Sequence, residues 1–460
     1  RVRARHTPKG RLRRKTQRAA RASTRPCYRP RRPGLQGRAG SGARIPPAQP
    51  DPALLPPPLL LLAPLCLPPQ DPVPPPTPAA QQPAPPAREF DGFGFSSPDG
   101  SFQLRFKGKL DNDWTFLSAD PDVANLVGPF QSGTEFRRAR VGLSGRLHEW
   151  LKFKATFDFS DGVSGFRDVY LEPRKVAGLD TMRFGHFKEP FGLENLTGSA
   201  AVTFLERGLP TALAPGRNMG AMVRDRMFGS RGTWAVGLFR ATDASGIGTD
   251  TTGGLEFAAT ARATGLPWYE DHGRRLGHLG ASFSLRNADN GQVRYREQPE
   301  ADLAPKMVNT DWFAADSLAL AMLEAAVVEE RWSFQAEWGA ARIQTPDRAN
   351  PDFTALALQG SCFLTGEHRA YDREVGAFDE VAPASAFAGG RGAGAWEVAA
   401  RFSRLDLNDG PIAGGELRDL TLGVNWYLDE NVRLQLNYVI ADLVTFGNAR
   451  ILEFRFHVHW

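Results

Sequence analysis

From Ile451 to the end of the chain the residues alternate: Leu452, Phe454, Phe456, Val458 and Trp460 fall in one phase, Glu453, Arg455, His457 and His459 in the other. Side chains of a strand point to opposite faces with a period of two, so the segment reads as a strand with one aromatic face and one charged face. The pattern recurs. Leu420, Leu422, Val424, Trp426 and Leu428 alternate with Thr421, Gly423, Asn425 and Tyr427, and Val432, Leu434, Leu436, Tyr438 and Ile440 do the same after Asp429-Glu430-Asn431, which reads as a hairpin. Further alternating runs begin at Phe102, Leu151, Trp234, Trp332 and Trp396. A soluble sandwich would bury the apolar phase in a core. A membrane barrel turns it to lipid, with polar residues toward a lumen and aromatic residues at the interfaces. The charge in the polar phase and the aromatic Trp460 favour the barrel, and a secreted or surface β-sheet binding or structural protein is the alternative.

Hydropathy does not oppose a membrane. The longest nearly apolar run, Leu59 to Leu67, contains Pro64 and stops at Pro68. A spanning helix needs roughly 20 apolar residues, but a tilted barrel strand needs only about 9 to 11 alternating ones. A mean hydropathy of -0.35 therefore excludes helical bundles and leaves barrels open.

Residues 1–88 are a different material. Residues 1–50 hold 16 Lys and Arg and no Asp or Glu, and residues 51–87 are dominated by Pro, Ala, Leu and Gln. Neither part offers a core, so both are expected to be disordered, the second with polyproline II character. Their order, basic stretch, Ala53 to Leu67, then small residues, resembles a poor secretory signal interrupted by prolines. Two regions follow: a basic, Pro-rich leader over 1–88 and an all-β body over 89–460. The leader carries 17 basic and 2 acidic residues of the chain's 56 and 51, so residues 89–460 hold 39 and 49, a net of about -10. The basic balance belongs to the leader, which lacks aromatic interleaving, and a nucleic-acid partner is not expected. Cys27 and Cys66 lie in the leader and Cys362 stands alone, so no disulfide framework is expected.

Four blocks carry a resemblance. Arg183 to Ala200 reads RFGHFKEPFGLENLTGSA and is followed by TFLER at Thr203 to Arg207; then come Leu358 to Tyr371, Gly394 to Ser403, and Leu422 to Arg433 with Leu436 to Val439. Together and in this order they resemble the phosphate-selective porin O/P family over roughly residues 90–460. The resemblance implies a transmembrane antiparallel β-barrel of 16 strands in the bacterial outer membrane. It also implies a homotrimer in lipid that passes small hydrophilic solutes, anionic or neutral, without chemistry or cofactor.

Lys188-Glu-Pro-Phe-Gly192 interrupts the alternation, since Pro190 has no donor for a ladder and Gly192 relaxes the backbone. A connection is expected from Glu189 to about Gly220. Folded into the lumen, it would bring Lys188, Arg207 and Arg217 to a constriction; as an outer loop, it would leave them solvated. Arg105, Lys107 and Lys109 share one strand face, Arg138, Arg140 and Arg146 another, and Lys152 and Lys154 continue the theme. Cations on a lumen wall would offset the dehydration of an anion and concentrate it. The pore-lining candidates are Arg105, Lys107, Arg138, Arg140, Lys152, Lys188, Arg207 and Arg217, and the net charge of the body argues against a strong anion preference. His457 and His459 share a face, but two ligands without a cluster suit a structural or lumen role better than a metal. Gly390 to Gly394 precedes a strand, unlike a dinucleotide fingerprint. Leu318 to Val328 fits helix or strand, and no catalytic constellation assembles.

Overall fold

The computed structural model describes residues 93–460 apart from 161, 163, 177, 244, 249–256 and 388–389, so the expected leader over 1–88 lies outside the described residues. Sixteen long strands follow one another. They are β1 Phe102–Ala119, β2 Gly133–Leu147, β3 Leu151–Asp158, β4 Gly165–Val176, β5 Leu179–Lys188 and β6 Arg217–Met227. Next come β7 Gly232–Arg240, β8 Ala258–Gly265, β9 Arg275–Asn287, β10 Ser317–Glu329 and β11 Trp332–Gln344. The last are β12 Asp352–Phe363, β13 Ala395–Asp409, β14 Ile412–Tyr427, β15 Val432–Leu443 and β16 Gly447–His459. Each pairs antiparallel with its sequence neighbours, and β1 also pairs with β16 from Lys109↔His459 to Ala119↔Ala449. The sheet is thus a closed 16-stranded antiparallel barrel. Among the described residues no helix is long and apolar enough to cross a membrane.

Alternation decides the two faces. Phe402, Leu422, Leu436, Leu452 and Phe454 are exposed on the outside, whereas Arg401, Thr421, Gln435, Glu453 and Arg455, one residue away, are buried inside. Leu318 to Val328 is strand β10. Its outward residues include Leu323 and Val327, and its inward Leu318, Leu320 and Met322 join an apolar cluster inside the barrel with Phe191, Leu209 and Phe353. Both faces are apolar, which is why periodicity there was ambiguous.

Among the described residues three long connections supply most of the interior, and Val123 of the 120–132 connection joins them. Residues 189–216 and 288–316 enter from one end, and residues 364–387 from the other. The first ends at Gly216, not near Gly220 as the sequence suggested, because Arg217 already pairs with Lys188 and opens β6. Irregular backbone inside a membrane barrel needs partners for its polar groups, and the wall supplies them. Arg433 Nη1 donates to Val202 O at 3.0 Å, Asn425 Nδ2 to Thr203 O at 2.8 Å, Arg455 Nη1 to Leu205 O at 2.6 Å and Arg401 Nη2 to Glu206 O at 2.8 Å. Glu337 accepts the amides of Leu193 and Glu194 at 2.7 and 3.0 Å. The 288–316 connection is held through Glu300, whose carboxylate takes Arg401 Nη2, Ser403 Oγ and Thr421 Oγ1, each at 2.5 Å. Burial pushes the Glu300 carboxyl up, against the pull of Arg401. The 364–387 connection hangs on Arg262, which donates to Val375 O at 2.9 Å and Gly376 O at 2.7 Å while paired with Glu324.

Two substitutions test this arrangement by urea equilibrium folding in lipid vesicles. Leu422→Arg, a charge on the lipid face, is expected to cost about 2–4 kcal/mol; an unchanged midpoint would place residue 422 in the lumen. Glu300→Ala leaves Arg401 with Glu194 as its remaining carboxylate and is expected to cost about 3–5 kcal/mol. A neutral result would mean that the 288–316 connection is not anchored there.

Candidate functional site

Where the two inserted connections face the wall of β2, β5 and β6 they enclose a cavity of about 340 Å³. Its charged lining is Arg137, Lys188, Arg207 and Arg217 with Lys306 on one hand, and Glu206, Glu297, Glu300 and Asp302 on the other. Each carboxylate is engaged. Glu206 accepts Arg137 Nε and Arg455 Nη2, both at 2.9 Å; Asp302 lies 3.3 Å from Arg137; Glu297 lies 3.3 Å from Lys306; Glu300 is taken by Arg401. Burial opposes ionisation of Glu206, but the guanidiniums of Arg137, Arg138 and Arg455 outweigh it and hold that carboxyl well below the usual range.

Two cations differ from the rest. Lys188 Nζ donates to Asn195 O, and Arg207 donates to Glu194 O at 2.9 Å and Thr197 O at 2.7 Å. Neither has a carboxylate within 4.0 Å among the described residues. Burial, then the nearby Arg138, lowers Arg207 to about 10, which still leaves it charged at neutral pH. Carbonyl oxygens fix both side chains in place, and for Arg207 they do so without cancelling its charge.

The other candidates are placed differently. Arg217 lines the cavity but is held by Asp168 at 2.8 Å, an acid shared with Lys154 at 2.9 Å. Arg138 lies against Asp111 at 2.8 Å and Arg140 against Asp158 at 2.7 Å, so both sit on the wall as half of an ion pair. Arg105, Lys107 and Lys152 occupy the part of β1 and β3 away from the cavity, near the chain end of β16, and are not brought to it. Lys109 Nζ links that region to the 189–216 connection through Ser199 Oγ at 2.9 Å.

Arg137 was missed by the sequence reading for a definite reason. It lies in the apolar phase of a regular strand, but the pairing of β1 with β2 shifts between Asp111 and Asn112, which face Arg138 and Phe136. The extra residue of this bulge lets consecutive arginines both reach acids of the lumen, as bulges re-aim side chains. Glu206, Asp302 and Lys306 were missed because loop side chains carry no periodicity. His457 and His459 hold a wall-to-loop chain: His457 contacts Asp111 and lies 3.0 Å from His459, which lies 3.1 Å from Glu380.

Comparison with known proteins identifies the family. The family of phosphate-selective porins O and P matches residues 106–446. Porin O of Pseudomonas aeruginosa is 27% identical over 403 residues, covering 78% of this chain and 87% of its own. An uncharacterized protein of Caulobacter vibrioides is 29% identical over 395 residues, covering 81% of this chain and 77% of its own. Among solved structures, OmpT of Vibrio cholerae, folded in vitro, has a TM-score of 0.49 at 12% identity and covers 78% of this chain and 98% of its own. With the family matched across most of the barrel, the chain belongs to the phosphate-selective porins O and P and is an outer-membrane channel.

Proposed function

We propose that this channel favours small anions, phosphate among them, over cations, that neutral solutes pass less selectively, and that the protein works as a homotrimer without cofactor or catalysis. One observation carries the anion preference: at the cavity every lining carboxylate is paired with a cation, while Lys188 and Arg207 are anchored on carbonyl oxygens and Arg207 keeps its charge. A permeating anion therefore meets fixed donors in a low-dielectric space, where charge counts for more than in water. The net charge of about -10 for residues 89–460 does not oppose this. Exposed charges beyond about 8–10 Å are screened at physiological salt, so the lining sets the field and the outer loops do not. The guanidinium of Arg207 adds the planar donor geometry that suits phosphate.

Planar-bilayer reversal potentials under a chloride gradient test the reading. The unmodified channel is expected to be anion-selective. Arg207→Ala should lower the anion-to-cation permeability ratio about fivefold, on the order of 1 kcal/mol for one near charge, more at 0.1 M than at 1 M salt. Arg140→Ala should do less, because Arg140 is already offset by Asp158. Cation selectivity in the unmodified channel, or equal effects of the two substitutions, would overturn it. For the trimer, the mass of the detergent-solubilised protein with the detergent contribution subtracted should equal three protomers; one protomer would refute it.

A further inference from the structure

The outside of the barrel is not uniform. At the end where the 189–216 and 288–316 connections enter, the outward positions of β11–β16 change from apolar to charged. Arg342 faces Asp352 across β11 and β12, Arg404 faces Arg418 across β13 and β14, and Arg418 faces Asp442 of β15. Arg450 of β16 lies one step further along, opposite Ile440. At the same end of the opposite arc Phe136, Phe159, Phe166 and Leu238 are exposed, and Arg240 of β7 falls in the outward phase with no row of charges beside it among the described residues. Outer-membrane barrels put their short turns at the periplasm and their longer loops outside. The turns at 148–150, 228–231, 330–331 and 428–431 at the other end are short, with the connection after β12 as the exception, whereas the connections at 120–132, 189–216 and 288–316 at this end are long even though the turns at 410–411 and 444–446 are not; on this count the charged row lies at the level of the outer leaflet's headgroups.

The pairing inside this row is incomplete. Like charges directly opposite each other on neighbouring strands are unfavourable, yet Arg404 and Arg418 are such a pair. A single carboxylate, Glu416, serves both: Arg404 Nε donates to it at 2.5 Å and Arg418 Nε at 2.8 Å. Arg404 Nη2 also reaches Asp406 at 2.9 Å. The Nη1 groups of both arginines make none of these bonds, and their side chains remain 38% and 44% exposed. Arg450 is exposed and has no carboxylate within 4.0 Å among the described residues. Immediately below lie Phe402, Leu420, Leu452 and Tyr438, an exposed apolar band for acyl chains.

We propose that this arc, centred on Arg404, Arg418 and Arg450, docks the phosphorylated sugar headgroup of an outer-leaflet glycolipid, with its acyl chains on the apolar band below. Guanidiniums with spare N–H donors match phosphate oxygens in pairs; because Asp406, Glu416 and Asp442 balance the three arginines, recognition here rests on those free donors and not on net charge. The charge row and the acyl-length apolar band on the same strands suit an amphiphile better than a protein neighbour, and the apolar opposite arc has no such row.

The probe is bisphosphorylated lipid A, titrated into the detergent-solubilised full channel and counted by native mass spectrometry, beside its dephosphorylated form and phosphatidylglycerol. Bisphosphorylated lipid A should bind about tenfold tighter than either. Arg404→Gln with Arg418→Gln, and separately Arg450→Gln in case the double variant does not fold, should each remove most of that difference while leaving conductance unchanged. Binding that ignores the phosphates, or phosphatidylglycerol binding as tightly as lipid A, would overturn the glycolipid assignment. So would variants that keep lipid A but dissociate the oligomer, which would make the row a contact between copies. Anion selectivity is read separately by reversal potential, so loss of lipid binding leaves that reading untouched.

Discussion

The pairing of β1 with β16 is the constraint on which the rest depends. In hydrocarbon an unpaired strand edge leaves a row of backbone donors and acceptors without water, each costing several kcal/mol, so a membrane sheet persists only when closed. The register from Lys109↔His459 to Ala119↔Ala449 meets that demand. It also fixes the phase of every strand. With β1 and β16 locked, Asp111, Asp113, Arg455 and His457 must meet inside, while Trp114, Phe116, Phe454 and Phe456 must meet lipid. Gly108 serves the same seam: its amide and carbonyl exchange bonds with Trp460 at 3.2 and 3.1 Å, and a Cβ there would overlap the indole ring.

Much of this was legible because a period of two survives in single residues. The hairpin around Asp429 to Asn431 and the end of β5 at Lys188 could be placed from pattern and from Pro190 alone. Three things could not. The bulge beside Arg137 changes the phase without any Gly or Pro to mark it, so one arginine of a consecutive pair was overlooked. In β10 both faces are apolar, one for lipid and one for the inserted connections, and the alternation that identifies strands vanishes where a lumen is filled with protein. Ion pairing was also invisible. Arg138 and Arg140 look like Arg207 in sequence, yet Asp111 and Asp158 offset the first two while Arg207 rests on carbonyls. That distinction depends on acids 27, 18 and more residues away in the chain.

The guanidiniums that grip residues 201–206 join mechanics to electrostatics. Arg369 and Arg433 hold Ala201 O and Val202 O with no carboxylate within 4.0 Å among the described residues, as Arg207 holds Glu194 O and Thr197 O. A hydrogen bond to a carbonyl secures the loop but discharges nothing. The struts that keep the irregular segment in place are thus also sources of the interior field, and neither property can be adjusted alone. Replacing such an arginine with an uncharged donor would keep part of the tether and dim the field; pairing it with a new acid would erase the field and compete for the tether. Main-chain oxygens are offered by any residue, so these tethers ask nothing of the side chains whose backbone they hold; the burial of Phe204 and Leu205, and the Glu206 carboxylate that takes Arg137 and Arg455, set the limits there instead.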